Sequence, residues 1–454
     1  MVEALRSTWA LFLGLGLIML GNGLQGSLVS IRAQFEVFDN TTTGLIMGGY
    51  FFGFFLGSII VPKLVGRVGH VRVFGALASL SSLVILVFPI FVEPWVWVLM
   101  RVITGLSYAG LYIVVESWLN DRAGNENRGQ LLAIYMLVSS LGMGAGPLLL
   151  NIHSPADFQL FTLVSALVSL AVIPVLVSAA KTPDFSAPST ISLKKLYRIS
   201  PLGLIGMLLV GLGAGAMMGM GPVYVYQFGL TVADASYFMS GIFVGVFVMT
   251  WPLGHFSDRF DRRTVIATVS IISAGIAFAC MFIPGDMSIL VLLSGLVVGG
   301  FLFPLYSMCI AHTNDFLEPN QMVAASATLV MANGLGAMLG PSLTGYAMDL
   351  FGPPGFFLTV AASAGLIAAF AFWRMTRRTA VPIGEQGHFV PMTTSAMGVA
   401  LNPEAEYEEY GFSVLEDQDA TNDPERADDS DRFDPVIEID EDHDPLIDKP
   451  PPTP

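Results

Sequence analysis

The sequence predicts an all-α integral membrane protein whose twelve transmembrane helices form two parallel six-helix repeats. Three observations predict it: an apolar composition, twelve apolar runs of spanning length, and paired motifs that recur at nearly one offset. Of the 454 residues, 54% are hydrophobic and 13% charged, too apolar for a water-soluble fold of this length. The net charge of −15 is unevenly distributed. Residues 1–379 hold sixteen acids and eighteen bases, whereas residues 380–454 hold twenty acids, three bases and ten prolines. Such a segment buries too little apolar surface to fold and is expected to be a disordered, acidic cytoplasmic tail. It is either passively solvated or docked on the chain's own basic face or an unknown partner, through Tyr407, Tyr410 and Phe412. Cys280 and Cys309 both lie in apolar runs, which suits packing rather than a disulfide framework or a metal site.

Crossing about 30 Å of hydrocarbon at about 1.5 Å per residue takes about 20 apolar residues. Runs of that kind lie near 8–31, 43–62, 72–91, 95–119, 130–151, 158–179, 201–228, 236–256, 264–283, 287–312, 323–348 and 354–374. The first follows Arg6 without a small-x-small cleavage site and reads as a retained helix. One set of connections carries sixteen Lys and Arg residues, among them Lys63, Arg67, Arg128, Lys194, Arg259, Arg262 and Arg263, and the opposite set only Arg32. By the positive-inside rule both termini are cytoplasmic, and Trp95 and Trp97 sit in the outer interfacial belt.

The repeat appears in three motif pairs. Arg67 with Gly69 recurs near Arg259, an offset of 192; Gly105 and Gly110 recur as Gly295 and Gly300, at 190; Gly146-Pro147 recurs as Gly340-Pro341, at 194. Three weak pairs in order at almost one offset indicate two copies of one unit. Domains are therefore expected at 1–180 and 201–379, joined by a linker at 181–200 that carries a short interfacial helix near Leu193 to Ile199.

At this point the chain resembles the major facilitator superfamily over roughly residues 8–378. Gly254, Asp258, Arg259, Arg262 and Arg263 match its G-x-x-x-D-R-x-G-R-R loop motif, with Asp261 replacing the second glycine. The first copy keeps Arg67, Gly69 and His70, with Gly66 in the acid's place. Arg101 and Gly105 match the R-x-x-x-G motif of span four, and Gly142, Gly146 and Pro147 the G-x-x-x-G-P motif of span five. The stretch from Val114 to Ser117, with Asn127-Arg128-Gly129, is similar to the bacterial YcaD-like branch. The resemblance implies a transporter of a bacterial inner membrane that alternates access to a central site, with protons as coupling ion. It also implies that spans two and eleven, and five and eight, meet between the halves.

Close helix contact in lipid relies on small residues four apart. Gly49, Gly53 and Gly57, Gly142 and Gly146, Gly241 and Gly245, and Gly336 and Gly340 are so spaced, and are expected either to form the surfaces on which the halves rock, beside Pro147 and Pro341, or to serve static packing within one half. In span four, Arg101, Gly105, Tyr108, Tyr112 and Glu116 share one helical stripe. Glu116 is expected near the cytoplasmic rim beside Arg67 and Arg128, in a structural ion pair rather than in proton coupling. Arg101 and Gln25 both lie roughly 9 Å below the outer edge. Arg101 is therefore expected either to face the cavity, held by Gln25 or Asn22, and to offer its remaining donors to an anionic or carbonyl-bearing substrate group, or to be a structural arginine satisfied by span-one side chains and backbone carbonyls. Further candidates for the cavity wall are Tyr224, Gln227, Trp251, Tyr306 and Asn333, with Met217, Met218 and Met220 as an adaptable surface. No catalytic constellation, metal-ligand spacing, phosphate loop or nucleic-acid signature is present, so neither an enzyme nor a cofactor is expected, and the expected partners are the bilayer, a small solute and protons. The competing readings are a sensor that binds without transporting, and an uncoupled uniporter.

Overall fold

The computed structural model describes residues 2–122, 128–177, 190–284, 287–377 and 381–392, with side chains from residue 8 onward. No strand occurs among them. The first half contains α1 (Val2–Phe35), α2 (Asn40–Val68), α3 (His70–Ile85), α4 (Pro94–Arg122), α5 (Arg128–Ala145) and α6 (Gln159–Val177). The linker forms α7 (Leu193–Ile199), capped by Ser192. The second half contains α8 (Pro201–Gln227), α9 (Val232–Arg259), α10 (Arg262–Cys280), α11 (Ser288–Leu302), α12 (Pro304–Asn314), α13 (Pro319–Phe351) and α14 (Gly355–Met375).

Eleven of these segments are long and apolar enough to cross a membrane. The expected third span, 72–91, is a shorter helix of 16 residues. Its last turn tightens through Leu86 N to Leu83 O and Val87 N to Val84 O, and bonded turns continue to Ile90 and Phe91. Such turns rise about 2.0 Å per residue, so His70 to Ile90 still covers roughly 32 Å. Two spans break at proline, which offers no N–H to the preceding turn. The fifth passes from α5 into a 3-10 turn at Gly146-Pro147, and the tenth divides into α11 and α12 at Pro304.

The repeat is plain in the packing. α1 with α5, α2 with α4, and α3 with α6 in the first half correspond to α8 with α13, α9 with α11, and α10 with α14 in the second. Each half buries its own hydrophobic cluster. Between the halves α2 meets α13, and the fifth span meets α9, as the family resemblance implies.

The glycine rows correct an expectation. Gly49, Gly53 and Gly57 face the α4 backbone, Gly142 and Gly146 face α1, Gly241 and Gly245 face α11, and Gly336 and Gly340 face α8. All lie within one half: the spacing marks a close helix contact without naming the helix that makes it. The contacts between halves use other glycines: Gly44 against Pro341 O, Gly48 against Met338 O, and Gly345 against Asn40 O.

Candidate functional site

The halves touch at one end of the molecule and part at the other. Call the end carrying Lys63, Arg67, Arg259 and Arg262 the basic end, and the opposite one the far end. At the far end Asp349 of α13 accepts from Asn40 N (3.1 Å), Thr41 N (2.8 Å) and Thr41 Oγ1 (2.5 Å). The residue in cap position, Asp39, makes no side-chain cap bond to α2. The carboxylate of the other half thus caps this helix and meets its positive dipole end. Gln227 Nε2 donates to Gln34 Oε1 (2.9 Å) and Asn40 Oδ1 (2.6 Å), and Asn151 Nδ2 to Ser236 Oγ (2.9 Å). Phe35 and Tyr226 meet edge to face.

These bonds close the far end by ordinary, separable contacts. Asp349→Ala removes the cap shared between halves, at about 1 kcal/mol, a shift of roughly fivefold between conformations. A cysteine at Ser342, seated against Gly44 and Gly48 of the other half, is expected to react about fivefold faster with a maleimide in that variant. An unchanged rate would show that the bond does not hold the end shut.

Toward the basic end the halves enclose a cavity of about 700 Å³. Arg101 and Lys63 supply its charge, and no carboxylate is among the described residues that line it. Much of the wall is aromatic or sulfur-bearing, including Tyr50, Phe54, Tyr112, Phe243, Met218 and Met331. Arg101 is 3% exposed. Its guanidinium lies over the Tyr50 ring, 4.8 Å from the centroid, a cation–π contact strengthened by exclusion of water. Nε and Nη1 have no hydrogen-bond partner. Asn22 does not hold Arg101; its Nδ2 donates to Tyr50 Oη (3.0 Å) and Tyr112 Oη (2.7 Å), fixing the ring on which the guanidinium rests. Gln25 is fully buried, outside the cavity wall, and neither of its amide atoms has a partner. Equal depth thus does not bring Gln25 into a bond with Arg101.

The expected wall residues divide. Asn22, Arg101, Tyr112, Tyr306 and Asn333 line the cavity, with Asn333 donating to Met207 O. Tyr108, Tyr224, Gln227 and Trp251 do not. Tyr108 is fully buried between the rings of Tyr50 and Tyr112 and the α3 side. Tyr224 stacks on Phe356 at 4.8 Å inside the second half. Gln227 belongs to the far-end closure. Trp251 is 77% exposed, on the outer surface against His255. Of Met217, Met218 and Met220, only Met218 lines the cavity, while the other two are core. Trp97, expected at the interface, is buried and donates to Phe91 O.

Glu116 is fully buried and accepts from Tyr135 Oη at 2.5 Å. Of the two arginines expected beside it, Arg67 is exposed and Arg128 is buried. Tyr135 lines the cavity, as does Tyr306 of the other half. His70 bonds Ser117 Oγ at 2.9 Å. In the second half Arg262 gathers Ser257 (3.1 Å), Asp258 (3.3 Å) and Asp315 (2.6 Å), and Arg263 pairs with Asp261 (3.3 Å). Gly254 lies beneath the Phe389 ring. Arg259 is exposed.

Sequence reasoning missed Tyr50, Tyr135 and Asp349. Tyr50 carried a faint signal, a phenol beside Gly49 in an otherwise apolar span.

The family model described as Major Facilitator Superfamily matches residues 11–313 and again 203–405. The uncharacterized MFS-type transporter YcaD of Escherichia fergusonii is 25% identical over 380 residues, 83% of this chain and 98% of its own. A second relative, YE1530 of Yersinia enterocolitica, is 26% identical over 361 residues, 79% and 93% of the two chains. Among solved structures, nucleoside transporter NupG aligns with a TM-score of 0.67 at 16% identity, over 81% of this chain and 100% of its own. A bacterial homologue of the human lysosomal transporter Spinster, inward-facing and occupied, aligns at 0.67 and 15%, over 84% and 98%.

Proposed function

The chain belongs to the major facilitator superfamily and is a membrane transporter, and from that premise we propose that it moves a small organic anion by alternating access, coupled to protons. The observation that carries the substrate reading is Arg101: a nearly buried guanidinium with two donor atoms unpartnered, at the edge of an aromatic cavity. Burying a cation without partners is costly in a membrane protein, which makes such a residue functional by default. A carboxylate or another anionic or carbonyl group supplies the missing acceptors, while its apolar body lies among Tyr50, Phe54, Tyr112 and Phe243.

Closure at the far end and opening at the basic end describe one limb of the cycle. Rocking the halves about the cavity exchanges the two. With the basic end cytoplasmic, as the loop charges require, and a bacterial inner membrane as the setting, this is the inward-facing limb.

Glu116 is the coupling group of this reading. It is removed from water and accepts from Tyr135, which lines the cavity, so the transport path offers it a proton. In proteoliposomes, Glu116→Gln is expected to abolish accumulation driven by a pH gradient and to leave downhill exchange intact. Equal pH-driven accumulation by the variant would remove Glu116 from coupling. The substrate reading is tested by thermal-shift screening of organic anions followed by flux of the ligands found. Binding without flux would indicate a sensor, and flux indifferent to pH a uniporter.

A further inference from the structure

Beyond the last span, the chain turns back onto the molecule. The tail expected to be disordered from residue 380 is instead ordered over 381–392, because the molecule supplies partners for its backbone. It runs extended, apart from one 3-10 turn at Ile383–Glu385, across the basic end of the second half, and Tyr407, Tyr410 and Phe412 lie outside the described residues. An extended segment has no backbone partners of its own, so each buried N–H needs one supplied. Here Asp258 of the loop motif and two residues of the α12 side supply them. Gly387 N donates to Asp315 Oδ1 (3.1 Å), Phe389 N to Asp258 Oδ1 (2.8 Å), and Met392 N to Ser307 Oγ (3.0 Å). In return Arg262 Nη2 donates to Gly387 O at 2.7 Å.

Side chains add selectivity. The Phe389 ring lies over Gly254, where a Cβ would sit 2.3 Å from Phe389 Cδ1; the cradle exists because that position has no side chain. Val390 packs against the buried clusters of both halves. Met392 is 5% exposed and, with Pro391, forms part of the cavity wall. Chain from one half thus occupies the cleft between the two at the end where the cavity opens.

We propose that Gly254, Asp258, Arg262, Asp315 and Ser307 form a binding site for the chain's own segment 381–392, which wedges the basic end open and must leave before the halves can close there. The inference rests on the alternating-access reading. Occupied, the site keeps the far end shut and narrows the path to the cavity; released, it frees the cycle. Being tethered, the segment is present at an effective concentration on the order of millimolar, so even weak affinity keeps it in place.

Two measurements on the full chain, with Cys280→Ser and Cys309→Ala as background, test it. The pair Ser307→Cys and Met392→Cys, whose contact brings the Cα atoms close to the roughly 4.4–6.8 Å a disulfide spans, is expected to cross-link under mild oxidation in most molecules. Ser342→Cys at the far end is expected to react with maleimide at least about fivefold faster in Phe389→Ala and in a chain ended after Arg377, because the wedge no longer biases the equilibrium. Phe389→Ala alters only the extended segment and leaves every helix intact. Absence of the disulfide, or an unchanged Ser342→Cys rate in both segment variants, would overturn the proposal. If Asp349→Ala speeds that labelling while the segment variants do not, rocking stands and the wedge falls. If none of the three responds, the alternating-access reading falls as well.

Discussion

Arg101→Ala is expected to leave a folded transporter, at least as heat-stable as the parent when empty, that has lost binding and flux of its anionic substrate by about 100-fold or more. The two effects have opposite signs because the arginine serves the substrate and burdens the fold. Two of its donor atoms lack partners, and the Tyr50 face offsets only part of the lost hydration. Removing the guanidinium removes that unmet cost, but also the charge that holds a carboxylate away from water. Arg101→Lys keeps the charge and loses the planar fork, so it is expected to fall between the two in binding and nearer to alanine in flux. The measurement pairs a melting curve of ligand-free protein with titration of an organic anion found by thermal shift. A destabilised Arg101→Ala that still binds the anion normally would make the residue structural.

Arg101 was accessible to sequence reasoning because one basic residue within an apolar run has few places to go. Its supports were not. Asn22 and Gln25 are three residues apart on α1 and equally polar, yet Asn22 meets Tyr50 and Tyr112 while Gln25 points elsewhere. Tyr108 and Tyr112 share a stripe, but four residues advance about 400° and rise about 6 Å. Because α2 and α4 cross tightly, that turn carries Tyr108 toward α3 and leaves Tyr112 on the wall. Trp251 shows the wider difficulty. Lipid and protein core are equally apolar, so hydropathy does not distinguish a helix face turned outward from one turned inward.

The number of spans, the repeat and the loop charges were legible because bilayer thickness and charge exclusion act on each segment separately. Partnership between helices depends on three-dimensional approach. Small residues four apart mark close contact without naming the contacting helix, and so the glycine rows pointed to the wrong interface. The Asp349 bond was hidden for another reason: acids at loop ends are common, and this one acts on a helix start more than 300 residues away.

Gly105→Leu is expected to be the most damaging single change in the first half, and to disable the site along with the fold. A Cβ at Gly105 would lie 1.9 Å from Tyr50 O, and one at Gly53, on the facing helix, 1.9 Å from Val102 O. Both obstructing atoms are backbone, so no side chain can rotate aside. Reaching the 3.4 Å of an ordinary contact requires α2 and α4 to separate by roughly 1.5 Å, and overpacking of this kind costs about 3 kcal/mol or more. The same approach sets the chemistry. Tyr50 precedes Gly53 by three residues and Arg101 precedes Gly105 by four, so the helices that the glycines bring together carry the ring and the guanidinium stacked at 4.8 Å. Gly105→Ala, the milder variant, separates the two consequences. It is expected to fold with a lowered melting temperature and to bind the organic anion less tightly, because the guanidinium loses its seat on the ring. A Gly105→Ala protein with unchanged melting and unchanged affinity would show that the α2–α4 approach does not govern the site.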